Sequence, residues 1–123
     1  MIYLASPYSH PDPAVVQTRF RAAEVCTVSL MRQGVIVFSP IVNCHGIALK
    51  YGLPTDHEFW LRYDFGMLRL AEAMFILMID GWKESRGVKE EIGFARSAHI
   101  PISLVTREGL FLGHLDDESA MLA

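Results

Sequence analysis

Two acidic side chains, Glu91 and Asp64, sit where acidic residues are unusual, and together they could do chemistry. On a helical wheel over Arg86 to Ala98, Val88, Ile92 and Ala95 form an apolar stripe; Glu91 falls about 60° from Val88 and Glu90 about 160°. Only Glu91 can look toward a core. It lies within the first two turns, where the positive end of the helix dipole favours an ionised carboxylate, an effect that fades beyond the first turn. An ionised carboxylate beside a strand-end cleft is a candidate nucleophile; the alternative is a surface glutamate paired with a neighbouring cation. Asp64 falls about 40° from Trp60, inside an arc completed by Met67, Leu68 and Ala71. A charge in an apolar stripe needs a partner or a purpose, unless Gly66 breaks the helix and lets the side chain reach water. A carboxyl raised by burial could serve as a general acid.

Other candidates are weaker alone. Asp80 before Gly81 could bind a ligand or close an Asx turn, and Tyr8 could hydrogen-bond a carboxylate or merely pack. Ser85, Arg86 and Gly87 at a helix start could hold a phosphate, although a solvated arginine there is equally consistent. His10, His45, His57, His99 and His114 show no ligand spacing, and Cys26 and Cys44 form no CxxC, so no metal site is expected. No serine occupies a Gly-x-Ser-x-Gly elbow. No Gly-x-Gly-x-x-Gly follows the first apolar run and no Walker A lysine is present, so no cofactor is expected.

These residues need elements to carry them. Ile2 to Ala5 is a β-prone run that stops at a loop from Ser6 to Pro11. Asp12-Pro13 then caps an amphipathic helix reaching Gln33-Gly34. Val35 to Phe38 reads as a strand buried on both faces, giving a right-handed βαβ crossover. Ile41 to Asp56 is left open between a short helix and an ordered loop. A helix follows from Thr55 or Asp56 to about Ala73, with Thr55-x-x-Glu58 matching a capping box. Met74 to Ile79, the most apolar stretch, is a central parallel strand; Ser85 caps a helix to Ala98, and Ile100 to Val105 supplies another strand. Thr106 to Ala123 is undecided by pattern. The expected architecture is one domain, residues 1–123, with a doubly wound, mainly parallel α/β sheet in three α/β/α layers, Rossmann- or flavodoxin-like. In such sheets ligands bind beyond the carboxyl ends of the strands. Four segments should therefore meet: Ser6 to His10, Ser39 to His45, Asp80 to Gly87, and residues after Leu104.

With 123 residues, 51% of them hydrophobic and 20% charged, the chain has globular composition. Eleven basic against fourteen acidic residues leave a net charge of −3, so a nucleic-acid polymer is not an expected partner. No apolar run is long enough for a membrane helix and the first residues lack a charged leader, so the protein is expected in the cytoplasm, off the membrane, with both cysteines reduced.

Ile2-Tyr3-Leu4-Ala5-Ser6-Pro7-Tyr8, Asp64 with Leu68, Ala71 and Glu72, Asp80-Gly81, and Ser85-Arg86-Gly87-Val88-Lys89-Glu90-Glu91-Ile92-Gly93-Phe94-Ala95 together resemble the nucleoside 2-deoxyribosyltransferase-like superfamily, in particular its DUF1937 branch. The last segment is the most specific, matching a Ser-x-Gly-Thr-x-x-Glu-[Ile/Leu]-Gly-x-Ala pattern, with Val88 in place of the threonine. The resemblance spans roughly Ile2 to Val105. It implies that Glu91 is the nucleophile, that Tyr8 orients it, and that Asp64 and Asp80 contact the leaving base, with Ser6, Ser85, Arg86 and Gly87 at the substrate. The implied reaction is cleavage or transfer of the N-glycosidic bond of a nucleoside or nucleoside 5′-monophosphate through a covalent glycosyl-glutamate. The competing reading is a non-catalytic nucleotide-binding oligomer on the same fold. A homo-oligomer is expected, because a 13.8 kDa chain with this apolar content and a Phe94 face has surface to cover.

Overall fold

A computed structural model describes residues 1–115; the acidic cluster Asp116-Asp117-Glu118, part of the undecided C-terminal stretch, lies outside the described residues. Five strands form one sheet in the order β2-β1-β3-β4-β5. They are β1 (Ile2–Ala5), β2 (Val37–Phe38), β3 (Ala73–Leu77), β4 (Ile102–Val105) and β5 (Phe111–His114), and only the β4–β5 pair is antiparallel. Among the described residues four helices cover it: α1 (Pro13–Arg32), α2 (Pro40–Tyr51), α3 (His57–Leu68) and α4 (Arg86–Ser97). The mainly parallel three-layer α/β fold is therefore as read from the residues.

Side-chain alternation along β1 divides the core. Leu4 packs with Ala22, Ala23, Cys26 and Leu30 of α1, whereas Tyr3 and Ala5 face Leu68 of α3 and Val88 and Ala95 of α4. One face of the sheet thus carries α1, and the other α3 and α4. The strand order reverses between β1 and β3.

Several boundaries differ from the sequence reading for identifiable reasons. The open stretch after Ile41 is a helix, capped by Ser39, whose hydroxyl accepts from Val42 N, and stopped by Gly52 in the left-handed region (φ +61°). The cap of α3 is Asp56, accepting from Phe59 N at 3.0 Å, and not the Thr55 capping box. Gly66 does not break α3, which ends at Leu68 rather than near Ala73, because Ala73 is taken into the sheet opposite Ile2. Val35 to Phe38 is not a strand buried on both faces: only Val37 and Phe38 pair, at a sheet edge, and Ile36 is exposed. Phe94 is not an exposed face, since it stacks on Phe65 with ring centroids 4.5 Å apart. Among the described residues no helix is long and apolar enough to cross a membrane.

Candidate active site

Above β1 and β3 lies a cavity of about 720 Å³, within the usual range of small-molecule sites. Three of the four expected segments reach it, through Ser6 and Tyr8, through Cys44 and His45, and through Gly81 and Ser85 to Gly87. Among the described residues none after Leu104 lines it, because β4 lies on the far side of β3 from the switch point. Their place is taken by the segment Leu53 to Thr55 and by His57, Trp60 and Leu61 of α3, which periodicity left among loop and core.

Glu91 and Asp64 both line this cavity, from α4 and α3. Glu91 is 5% exposed, while Glu90 turns outward to His57 and Arg86, as the helical wheel required. Burial removes the carboxyl from water, and with the nearby Asp64 it pushes the Glu91 pKa up to about 8, against the hydrogen bond from Tyr3. The expectation of an ionised Glu91 is therefore corrected: Glu91 is the sixth residue of α4, beyond the turn where the helix dipole is strong, and desolvation prevails. Asp64 is pushed up to about 7 by burial, opposed by His57, and its Oδ1 is buried without a hydrogen-bond partner. Two carboxyls in a poorly solvated space do not both ionise cheaply, and burial favours the neutral form of each.

The hydroxyl donated to Glu91 belongs to Tyr3, a fully buried residue of β1. Tyr8 instead pairs its hydroxyl with His45 Nδ1, and Phe20 stacks on that imidazole with centroids 4.0 Å apart. Tyr8 is thus in the cavity wall without touching Glu91. Tyr3 was overlooked because it reads as one more apolar strand residue; its alternation with Leu4 places it on the face that α4 covers, and a hydroxyl buried there needs an acceptor. Burial, followed by Glu91 and Asp64, raises the Tyr3 pKa far above the ordinary tyrosine value and keeps it a donor.

Ser6 is 6% exposed, lines the cavity, and its Oγ is buried without a partner. Ser85 caps α4, its Oγ accepting from Val88 N, and Gly87 stands in the wall beside it. Arg86 is exposed at the rim. Asp80 is exposed and off the wall; Gly81 and Glu84 line the cavity in its place. Arg19 of α1, to which sequence assigned no role, lines the cavity and donates through Nη1 to the Ser9 carbonyl at 2.8 Å. It forms no ion pair among the described residues. Its Nη2 lies over Gly81, and the φ of +93° there favours glycine. Among the described residues no group of three or more His, Cys, Asp or Glu side chains could hold a metal ion.

A parallel α/β sheet with an acidic pair in a cavity at its switch point defines a class of small-molecule site. The chain belongs to the DUF1937 family, described as a domain of unknown function, whose model matches residues 1–107. No curated protein matches. A solved structure of 2-deoxyribosyltransferase from the psychrotolerant bacterium Bacillus psychrosaccharolyticus, described as a biocatalyst for nucleoside synthesis, is similar at a TM-score of 0.57 and 22% identity, over 89% of this chain and 74% of that one. At that identity the likeness is one of fold.

Proposed function

We propose that this protein cleaves or transfers the N-glycosidic bond of a nucleoside or nucleoside 5′-monophosphate through a covalent intermediate on Glu91. The observation that carries the reading is the buried pair: Glu91, with a tyrosine hydroxyl on it, shares one cavity with Asp64, whose buried Oδ1 has no hydrogen-bond partner. The fold held in common with a 2-deoxyribosyltransferase supports it.

In the reactive protonation state Asp64 holds the proton and Glu91 is the carboxylate. As the bond between the anomeric carbon and the base nitrogen lengthens, positive charge grows on the sugar and favours an ionised Glu91. A Glu91 oxygen bonds to the anomeric carbon, the C–N bond breaks, and its electron pair leaves with the base, which takes the Asp64 proton. Tyr3 aims the Glu91 carboxyl and stabilises its charge. Asp64, now ionised, is placed to take a proton from the incoming group. Water as that group gives hydrolysis and a second base gives transfer; both restore Asp64–H and free Glu91.

Elsewhere in the lining, Arg19 without a carboxylate partner and Ser6 with an idle hydroxyl suit an anionic or hydroxyl-rich end of the substrate, which favours the 5′-monophosphate. Tyr8 and His45 belong to the same reading as contacts to sugar or base, with Ser85, Arg86 and Gly87 at the phosphate end; Asp80 would contribute only by moving inward. A homo-oligomer is also part of it, supported by exposed Leu49, Tyr51, Phe59 and Tyr63 on α2 and α3. A second reading, a non-catalytic nucleotide-binding oligomer, draws on the burial that favours a neutral Glu91.

The test is a panel of nucleosides and 5′-monophosphates incubated with and without a free acceptor base and read by chromatography. Release of base, or its exchange, with monophosphates turned over fastest is the expected result. Binding without any released base across the panel would favour the second reading.

A further inference from the structure

We propose that one face of α3 is the seat of the leaving base and that it selects a purine carrying an exocyclic amino group; the inference rests on reading Asp64 as the acid that protonates that base. Trp60 and Asp64 are one helical turn apart, so their side chains share a face of α3, and both line the cavity. Three contacts hold the Trp60 indole. Its Nε1 donates to the Pro54 carbonyl at 2.8 Å, and the rings of Phe59 and Tyr63 meet it nearly at right angles, with centroids 4.9 Å and 6.2 Å away. Its one polar group is thus already used. What remains for a ligand is flat apolar surface, in place before anything binds, with Leu53, Pro54 and Leu61 in the same lining.

A base needs a surface to lie against and partners for its hydrogen-bonding edge. Trp60 meets the first need, and two fused rings cover more of an indole than one ring does. Asp64 meets the second. Its Oδ1 is buried without a hydrogen-bond partner, and a buried polar atom left so is costly until a ligand supplies one. In the reactive state of the proposed mechanism the carboxyl offers one O–H and one carbonyl oxygen side by side. A 6-aminopurine matches both: its N7 accepts from the O–H, as protonation of the leaving base requires, and its amino group donates to the carbonyl oxygen. A 6-oxopurine sets oxygen against oxygen there, and an unsubstituted purine leaves the carbonyl unpaired. A site built to pair an N–H rejects the analogue that lacks it far more strongly than an apolar pocket rejects a missing methylene.

The test is calorimetric titration of the full chain with four free bases: adenine, hypoxanthine, purine and cytosine. Adenine should bind about tenfold or more tightly than hypoxanthine and purine, which lack the amino group, and cytosine, which carries it on a single ring, should also fall behind adenine. Asp64→Asn, whose amide keeps one donor and one acceptor, should hold the preference, and Asp64→Leu should erase it. Trp60→Leu should weaken every base, whereas Trp60→Phe should keep most of the affinity. Adenine should quench the fluorescence of the wild type and leave that of Trp60→Phe unchanged, because the other tryptophan, Trp82, lies in the core. Hypoxanthine or cytosine bound as tightly as adenine, a preference that survives Asp64→Leu, affinities indifferent to Trp60→Leu, or no binding of any base would overturn the proposal. Free bases carry no glycosidic bond, so a protein without turnover would defeat the catalytic reading and leave these affinities standing; turnover without a preference for amino-bearing purines would do the reverse.

Discussion

The two walls of the cavity solve opposite problems. The α3–α4 wall takes two acids out of water, with Asp64 and Glu91 pushed up to about 7 and about 8. The opposite wall, from the β1 loop, α1 and α2, holds its polar groups in fixed poses: Arg19 on the Ser9 carbonyl and His45 between the Tyr8 hydroxyl and the Phe20 ring. The first wall is energetically loaded and suited to moving protons and making a bond. The second is held in place by fixed contacts, leaves the Ser6 hydroxyl without a partner, and is suited to holding a substrate still. The difference teaches that the reactive side of this site is recognised by what burial does to charge, and the binding side by what geometry does to donors.

The sharpest way to break the comparison is to remove the nucleophile. Glu91→Gln, nearly isosteric, should reduce base release on the order of 10⁴-fold while substrate binding persists, measured by chromatography and by calorimetry. Asp64→Asn should cost about 10²- to 10³-fold, and much less with a base that leaves unprotonated, which turnover of a paired good and poor leaving group would show. Tyr3→Phe should cost about 10- to 100-fold and move the acid limb of the pH–rate profile upward, because Glu91 loses the hydrogen bond that favours its carboxylate.

The smallest effect is on stability. The Glu91 carboxyl has an ordinary value of 4.5 and is held near 8 in the folded chain, so between those values the folded state binds more protons than the unfolded one. Its contribution is fully present below about 4.5 and is lost as pH rises toward about 8. Thermal unfolding should therefore show wild type and Glu91→Gln converging near pH 4.5, with the variant gaining relative Tm up to pH 8.

How much of this was legible in the sequence follows the same division. The α4 half of the carboxylate wall is contiguous: Ser85 to Ala95 carries its own cap, its apolar stripe and the preference for Glu91 over Glu90, so local pattern was sufficient. Asp64 could be placed by periodicity, though its helix ends earlier than the pattern suggested, since pairing of Ala73 with Ile2 is a long-range event. The binding wall was largely invisible. The Tyr8–His45 bond joins residues 37 apart, and α2 itself was undecided because its cap and its glycine stop bracket a weakly periodic stretch. Tyr3 was hidden for a different reason: in a strand of four residues an aromatic hydroxyl looks like core until its acceptor, 88 residues away, is known. Contacts made only by folding leave no local periodicity, and those are the ones that orient the pair.

The most direct test of the central claim is intact-protein and peptide mass spectrometry after incubation with a slow 2-fluoro sugar analogue of the nucleoside substrate. A glycosyl adduct on Glu91, absent from Glu91→Ala and retained in Glu90→Ala, is the predicted result. An adduct on another residue, or turnover of the analogue with no adduct on Glu91, would contradict it.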